Sequence, residues 1–385
     1  MESRIENVNI IDLVKGFGSP LFVYSAGHIR KQFTKLSNAF KDIPFKIHYA
    51  MKANENPAIL EIIKNAGGGI DAVSPFEIDR ALNMGFDKDN VVFTPSCPHI
   101  NEIKYALAIG VKIHIGAIEY FPLLGQSLKD KSVGLRINPA IGIGGNQKIA
   151  TAHQDSKFGI PINYINKIKE YQQQYGFVVN AIHIHTGSNI KDVKDLKKTI
   201  DYIFNIAKEF DSLQYLDIGS GLKIKYRETD HEIDIDDYAA YIKSKLQQYG
   251  KNLKIIIEPG KFLVGNAGIL VTKVNIVKKG YKKYFAGVNS GFHHLIRPMY
   301  YDAYHEIVNI SNPQGEKKVY DVVGQLCEED TFAYDRELNE VRQDDILIIK
   351  SAGAYAYSMS MEYNLRKKPK EILIDGAKVR DISQV

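Results

Sequence analysis

FKIHYAMKANENPAILEIIKNAG, residues 45–67, is the stretch on which the fold turns. Phe45 to Met51 is an apolar run of strand length that ends at Lys52. A short Asn-rich turn follows, and then a helix with Asn56 as its cap and Pro57 at its first position. A buried strand should not end in an amine unless that amine is exposed or used there. The same unit then repeats. GIDAV (69–73), VVFT (91–94), KIHIG (112–116), VGLRIN (133–138), VNAIHIH (179–185), LQYLDI (213–218) and LKIIIE (253–258) are further strand candidates. Between them lie segments of helical period such as PFEIDRALNMG and DLKKTIDYIFNIAKEF. Several end in glycine after a polar last turn, as helices commonly do. Eight strand–helix units within about 220 residues match the count and length of a (β/α)8 barrel. An open doubly wound sheet, the structural rival, would need a glycine-rich fingerprint where YAMKAN stands.

From about residue 268 the rhythm changes. GILVTKVNIVKKG, KKYFAGV, KKVYDVVGQLC, DDILIIKSAG and EILIDGAKVRDI are strand-like runs joined by short polar turns. They predict a β-rich second domain, a sandwich or barrel. PLFVYS (20–25) precedes the first barrel strand by a full helix and is expected to join that domain. The α/β architecture expected is therefore a TIM-type barrel over residues 25–267 and a β-rich domain made of 1–24 and 268–385.

The length of 385 residues leaves room for two cores. The 50 basic and 45 acidic residues are interspersed, so the net +5 reads as a mixed solvated surface with no nucleic-acid footprint. Two cysteines, Cys97 and Cys327, cannot build a disulfide framework or a zinc cluster. The first residues are partly acidic and lack an apolar core of signal-peptide length. No apolar run approaches the ~18 residues of a membrane span. A cytoplasmic, reducing setting with no membrane partner is expected.

In such barrels the chemistry lies at the carboxyl ends of the strands. There the sequence places Lys52, Asp71 and Ser74, Arg136 and Asn138, His185-Thr186-Gly187-Ser188, Gly219-Ser220-Gly221, and Glu258-Pro259-Gly260-Lys261. Each has a bland reading by itself. Lys52 could be a snorkelling surface lysine, His185 a satisfied core histidine, Gly219-Ser220-Gly221 a tight turn and Glu258 an ion-pair partner. His183 and His185 are read as facing opposite sides of their strand, without further ligands for zinc, so no metal site is expected. Together the rim residues have one economical reading. A lysine forms a Schiff base with an aldehyde cofactor, glycine-rich turns with Ser188 receive a phosphate, a carboxylate pairs with a ring nitrogen, and an imidazole stacks. That set describes pyridoxal phosphate.

YAMKAN, HIHTGS, LDIGSG, EPGK, HLIRPMYYDAYH (294–305), CEEDTF (327–332) and GAYAYSMSMEYN (353–364) together resemble diaminopimelate decarboxylase. That family belongs to the alanine-racemase-like, fold type III enzymes of pyridoxal 5'-phosphate. The resemblance runs in order from about Pro20 to Asp381. It implies decarboxylation of meso-2,6-diaminopimelate to L-lysine. Lys52 would hold the cofactor, His185 stack on its ring, Arg136 contact the phenolic oxygen and Glu258 bind the ring nitrogen. Ser188, Gly219, Ser220, Gly221, Gly260 and Tyr355 would surround the phosphate. Arg297, Tyr301 and Lys261 would bind the distal carboxylate of the substrate and Glu328 its ammonium, while Cys327 delivers a proton. The family takes that Cys-Glu pair from the neighbouring subunit, which implies a homodimer with shared sites.

Three positions depart from the family pattern. Lys261 replaces an arginine, a point charge for a bidentate fork. Ser220 interrupts a triple glycine. Glu329 follows the Cys-Glu pair where a serine is usual. These departures keep a sibling decarboxylase open, acting on a carboxylated polyamine, a D-amino acid or a siderophore precursor. A racemase of the same fold and a non-catalytic regulator are the more distant readings. The long connection after strand five, AIGIGGNQKIATAHQDSKFGIP, is of a length usually tied to function, and Gly142, Gly144 and Gly145 could hinge it as a lid.

Overall fold

The computed structural model describes residues 3–141, 153–190 and 192–384. The glycines expected to hinge the loop after strand five lie outside the described residues.

Eight parallel strands close into a barrel: Phe45–Ala50, Gly69–Ala72, Val91–Phe93, Lys112–Ile115, Ser132–Asn138, Val178–His183, Tyr215–Asp217 and Lys254–Ile257. Closure is visible in the register, where the eighth strand pairs with the first, Ile255 opposite Phe45. The fifth pairs with the sixth, Val133 opposite Val179. These are the eight runs expected from the sequence, most of them differing by one to a few residues at their ends. They were legible because strands covered on both sides read as near-continuous apolar runs.

Most helices between them open on side-chain caps, the first of them Asn56 as expected. Asn56 Oδ1 accepts from Ala58 N at 3.0 Å and Pro57 opens the helix Pro57–Asn65. Ser74 caps the next helix, Pro75–Asn83, through Glu77 N at 3.2 Å, and Glu77 Oε2 reaches back to Val73 N at 2.7 Å. This reciprocal pair is a capping box. Ser74, expected on the catalytic rim, thus has a structural task.

Beyond Ala267 the chain forms a β-rich layer whose longest strand, Gly268–Lys279, pairs on one side with Leu21–Ser25 and on others with Tyr284–Val288 and Ile346–Ile349. Leu21–Ser25 also pairs in parallel with Lys370–Asp375, so PLFVYS does enter this sheet. A short helix, Ile10–Phe17, capped by Asn9, packs Ile10 and Leu13 against its apolar residues. That run is too short for its period to be told from a strand.

The two parts meet at the turn after the first barrel strand. Ala53 O accepts from Tyr355 N at 2.8 Å and from Ser358 Oγ at 3.2 Å, and Asn54 Nδ2 donates to Gly353 O at 3.3 Å. Ala50 N donates to Pro259 O at 3.3 Å, tying the end of strand one to that of strand eight. YAMKAN is therefore the knot between the barrel seam and the second sheet. No described helix is long and apolar enough to cross a membrane.

Candidate active site

The carboxyl ends of the strands open on a cavity of about 320 Å³, a size suited to a small molecule. Lys52, Arg136, His185, Ser188, Ser220, Gly221, Glu258, Gly260, Lys261 and Tyr355 all line it. Asp71, Thr94, Ser96, Phe158 and His183 join them.

Lys52 sits in a single 3-10 turn, Met51–Ala53, directly after strand one. Its Nζ lies 2.6 Å from Asp71 Oδ2 at the end of strand two. The lysine side chain is 41% exposed, but into the cavity rather than to bulk water, whereas Asp71 is 1% exposed. Burial works against the ammonium, yet Asp71, Tyr355 and Glu258 outweigh it and hold the amine above its ordinary value. The Asp71 carboxyl is also pushed up, by burial first and then by the Glu258 charge, against the pull of Lys52. Both directions follow from a proton held tightly between two groups with little water around them. Asp71 Oδ1 is buried without a hydrogen-bond partner.

The floor is a polar cluster inside the barrel. His183 Nε2 lies 3.2 Å from Glu258 Oε2, and the His183 ring stacks on that of His114 at 4.8 Å. His114 Nδ1 meets Thr94 Oγ1 at 2.9 Å and its Nε2 meets Tyr215 Oη at 3.2 Å. Asp217 lies beside Glu258. Burial and the Glu258 charge push Asp217 far up, while Glu258 is held well below its ordinary value. Two such buried carboxylates share one negative charge. It rests on Glu258, where His183 and Lys52 outweigh the cost of burial.

The reading that set His183 and His185 on opposite faces is corrected here. Residues two apart on a strand share a face, and both line the cavity. Nor does His183 lack companions, because His114, His183, Asp217 and Glu258 offer ligand atoms within 4.8 Å of one another. Both ring nitrogens of His114 are already engaged, so the cluster is a hydrogen-bonded floor rather than an open coordination site. Spacing could not reveal it, since its members come from strands four, six, seven and eight.

At the opposite end the turn after strand seven is cut to fit. Gly221 has φ +98°, and a Cβ there would stand 2.6 Å from Gly187 O. At Gly260 a Cβ would lie 3.0 Å from Ala53 Cβ and 3.2 Å from Tyr355 Oη. The backbone here leaves space that only glycine preserves. Gly219 does not line the cavity, and its N–H donates to Asp217 Oδ1 at 3.0 Å, so it braces the turn from below. Ser220 N points at His185 Nδ1, 3.4 Å away. Burial, helped by Arg136, pushes the His185 imidazole down to about 3, so its ring is neutral. Arg136 is itself buried, with its guanidinium 4.6 Å above the Phe158 ring.

Lys261 and Arg297 are buried cations, each 6% exposed. Arg297 Nη2 donates to Tyr226 Oη at 3.2 Å, and the guanidinium lies 5.7 Å from the Tyr301 ring. Lys261 Nζ reaches Asn189 Oδ1 and stands 6.0 Å from the Tyr226 ring. Burial, with the Arg297 charge, brings Lys261 down to about 7. Among the described residues neither cation has a carboxylate partner, and Arg297 Nε is buried unpaired. Tyr226 and Asn189, which hold the pair in place, had no sequence signal because both lie outside the strands and motifs.

Cys327 and Glu328 are exposed and do not line this cavity. They stand together on the second domain, where Glu328 Oε1 accepts from Tyr363 Oη at 3.0 Å.

The cofactor implied by the sequence fits these residues. A lysine amine opens on the cavity, Glu258 Oε1 is buried with no hydrogen-bond partner, and a glycine-lined hollow faces them. Residues 26–265 match the model of the pyridoxal-binding domain of pyridoxal-dependent decarboxylases. Diaminopimelate decarboxylase of Methanothermobacter thermautotrophicus is 36% identical, covering 97% of this chain and 91% of its own length. That of Aquifex aeolicus is 35% identical, covering 98% and 92%. A crystal structure of the Helicobacter pylori diaminopimelate decarboxylase complexed with L-lysine matches with a TM-score of 0.89 at 32% identity, covering 98% of this chain and 96% of the other. This chain belongs to the pyridoxal-dependent decarboxylases, and within them to the diaminopimelate decarboxylase family.

Proposed function

We propose that this protein decarboxylates meso-2,6-diaminopimelate to L-lysine, the last step of lysine biosynthesis, with pyridoxal phosphate as cofactor. The observation that carries this reading is the buried pair Lys261 and Arg297, two cations without a carboxylate. Next to a site for an amino acid's reacting end, such a pair suits a substrate with a second carboxylate. It would repel the bare ammonium end of ornithine or lysine.

When bound, pyridoxal phosphate supplies an electron sink for the pair left on the alpha carbon as carbon dioxide departs. Lys52 holds the cofactor through Nζ. Asp71, 2.6 Å away, takes the proton that this amine loses before it acts as a nucleophile. Glu258, kept ionised by His183, holds the ring nitrogen's proton in place. A neutral His185 offers a flat face to the ring, and Arg136 meets its phenolic oxygen. Ser188, Ser220, Gly221, Gly260 and Tyr355 enclose the phosphate. Arg297, Tyr301 and Lys261 orient the distal carboxylate, so that the charge developing at the alpha carbon meets groups already in position. Cys327 and Glu328 complete the site from a second subunit, the thiol giving a proton to the alpha carbon and the carboxylate taking the distal ammonium. The working unit is thus a homodimer in the cytoplasm. In each subunit, residues 25–267 bind the cofactor, and 1–24 with 268–385 supply substrate and partner contacts.

Purified protein should show the absorbance of lysine-bound pyridoxal, lose it in Lys52→Ala, and release carbon dioxide and lysine from meso-diaminopimelate. A coloured protein inert toward that substrate would replace this reading with the sibling decarboxylase. A colourless one that cannot be reconstituted would overturn the enzyme reading. Sharing of sites is tested by mixing Lys52→Ala with Cys327→Ala. Random pairing regenerates one native site in each mixed dimer, hence roughly a quarter of wild-type activity. No recovery would mean that each site belongs to one chain.

A further inference from the structure

The loop after the second domain's last turn comes back to Cys327. Tyr363 Oη lies 3.8 Å from Cys327 Sγ and donates its single proton to Glu328 Oε1 at 3.0 Å. Asn364 Nδ2 lies 3.4 Å from the same sulfur. Cys327, Glu328 and Asn364 are exposed, so burial does not bring them together. The backbone is instead bent to present them. Asn364 and Leu365 have φ of +52° and +56°, two successive left-handed residues. For Leu365 that conformation is a genuine outlier, of the kind that persists where surrounding structure enforces it. The Tyr363 ring is in turn packed on Phe292 at 5.8 Å.

We propose that Tyr363 and Asn364 are positioning residues for the Cys327 thiol: the Asn364 amide oxygen, at 3.7 Å, and the phenol oxygen receive its S–H, and the Asn364 amide N–H holds the sulfur once the proton has gone. The inference rests on reading Cys327 as the donor to the alpha carbon. In that step the S–H bond breaks and a C–H bond forms with the electron pair left by carbon dioxide. The S–H pair stays on sulfur as a thiolate, and a solvent proton later restores the thiol. The Asn364 N–H points at the charge that appears in this step, a charge-assisted bond stronger than that to the neutral thiol. Tyr363 remains a phenol throughout, because its contacts with Cys327 and Glu328 push it up to about 12. Its O–H ties the Glu328 carboxylate to the same phenol that the sulfur approaches.

The test uses the holoenzyme in a Cys97→Ser background, which removes the other thiol, and follows alkylation of Cys327 by iodoacetamide at neutral pH beside steady-state kinetics. Asn364→Gly keeps the left-handed backbone and deletes the amide. It should slow the reaction of Cys327 about threefold at neutral pH, because the amide N–H no longer stabilises the reacting thiolate and the gain in nucleophilicity offsets part of that loss. The kcat should fall about tenfold with KM within about twofold, the pattern of an interaction made in the transition state. Tyr363→Phe should instead raise KM for diaminopimelate through the loosened Glu328. An unchanged rate of Cys327 modification together with an unchanged kcat in Asn364→Gly, with the dimer and its colour intact, overturns the proposal. If Cys327→Ala keeps full kcat, it is the underlying reading of Cys327 that fails, and the proposal falls with it. Should Asn364→Gly lose the dimer, Tyr363→Phe decides alone, an unchanged KM counting against the proposal.

Discussion

At the barrel floor, Lys52, Asp71, His183 and Glu258 are set at the ends of separate strands and partner one another, Lys52 with Asp71 and His183 with Glu258. On the second domain, Cys327, Glu328 and Tyr363 stand at the surface and touch one another but nothing in the cavity. The difference follows from the cost of burial. A buried charge is costly unless paired or hydrogen-bonded, so most such groups find their partners within the fold. An exposed thiol and carboxylate carry no such demand and can wait for a second molecule to supply their surroundings. The floor should therefore bind its cofactor in a single chain, while turnover should need two.

The largest effect that breaks this division is at Lys52. Lys52→Ala should lower kcat by more than about 10³-fold, because it removes both the covalent anchor and a proton-transfer group, and the colour should vanish with the activity. Dilution below the dimer's dissociation constant gives the complementary result, with activity lost and colour kept. Colour and activity lost together on dilution would mean that the floor, too, depends on the partner.

Glu258→Gln sharpens the comparison within the floor. Glutamine keeps the shape and the contact to His183 but loses the charge aimed at the ring nitrogen. A fall in kcat of about 10²-fold is expected with the cofactor still bound, the scale of one preorganised electrostatic contact. A loss below tenfold would show that the shared charge moves to Asp217 and serves equally well from there.

Between the two regions lies Glu371, fully buried on the strand Lys370–Asp375, accepting from Tyr24 Oη at 2.7 Å and from Asn56 Nδ2 at 2.8 Å. Burial pushes its carboxyl up to about 7, against these two hydrogen bonds. Between its ordinary value of 4.5 and that raised one, the folded chain binds more protons than the unfolded one. Stability therefore falls as pH rises across that window, by about 3 kcal/mol. Glu371→Gln should flatten the curve, read as urea midpoints at pH near ~5 and ~7.5. An unchanged slope would place the titration elsewhere.

The contrast also marks what a sequence can carry. Every barrel strand was readable because burial on both faces leaves an apolar run, and the cap Asn56 announced its helix. Lys52, Arg136, Ser188 and Glu258 could be found because strand ends are where a barrel places its chemistry. The pairing of Lys52 with Asp71, the meeting of His114 with His183 and the bracing of Arg297 by Tyr226 are contacts across strands or loops. No local pattern encodes them. The shared face of His183 and His185, by contrast, follows from the strand period alone, whereas the task of Ser74 depended on which neighbour its hydroxyl reached. Tyr363 and Asn364 were inside a recognised motif, but their relation to Cys327 needed the fold.

Lys261 stands where the floor gives way to the substrate end, and its titration tells which of the two it serves. Burial and the Arg297 charge bring it to about 7, so in the free cavity it is an ammonium below that pH and neutral above it. A carboxylate placed between the two cations favours the ammonium. Above pH 7 the substrate must therefore bring a proton with it, and KM for diaminopimelate should rise about tenfold between pH near ~7 and ~8.5. Lys261→Arg keeps its charge throughout and offers a fork in place of a point, so its KM should stay level over that range. A level KM in the native enzyme would mean that an anion already holds Lys261 charged before substrate arrives. Lys261 would then serve the cofactor's surroundings, and Arg297 would read the substrate's second carboxylate.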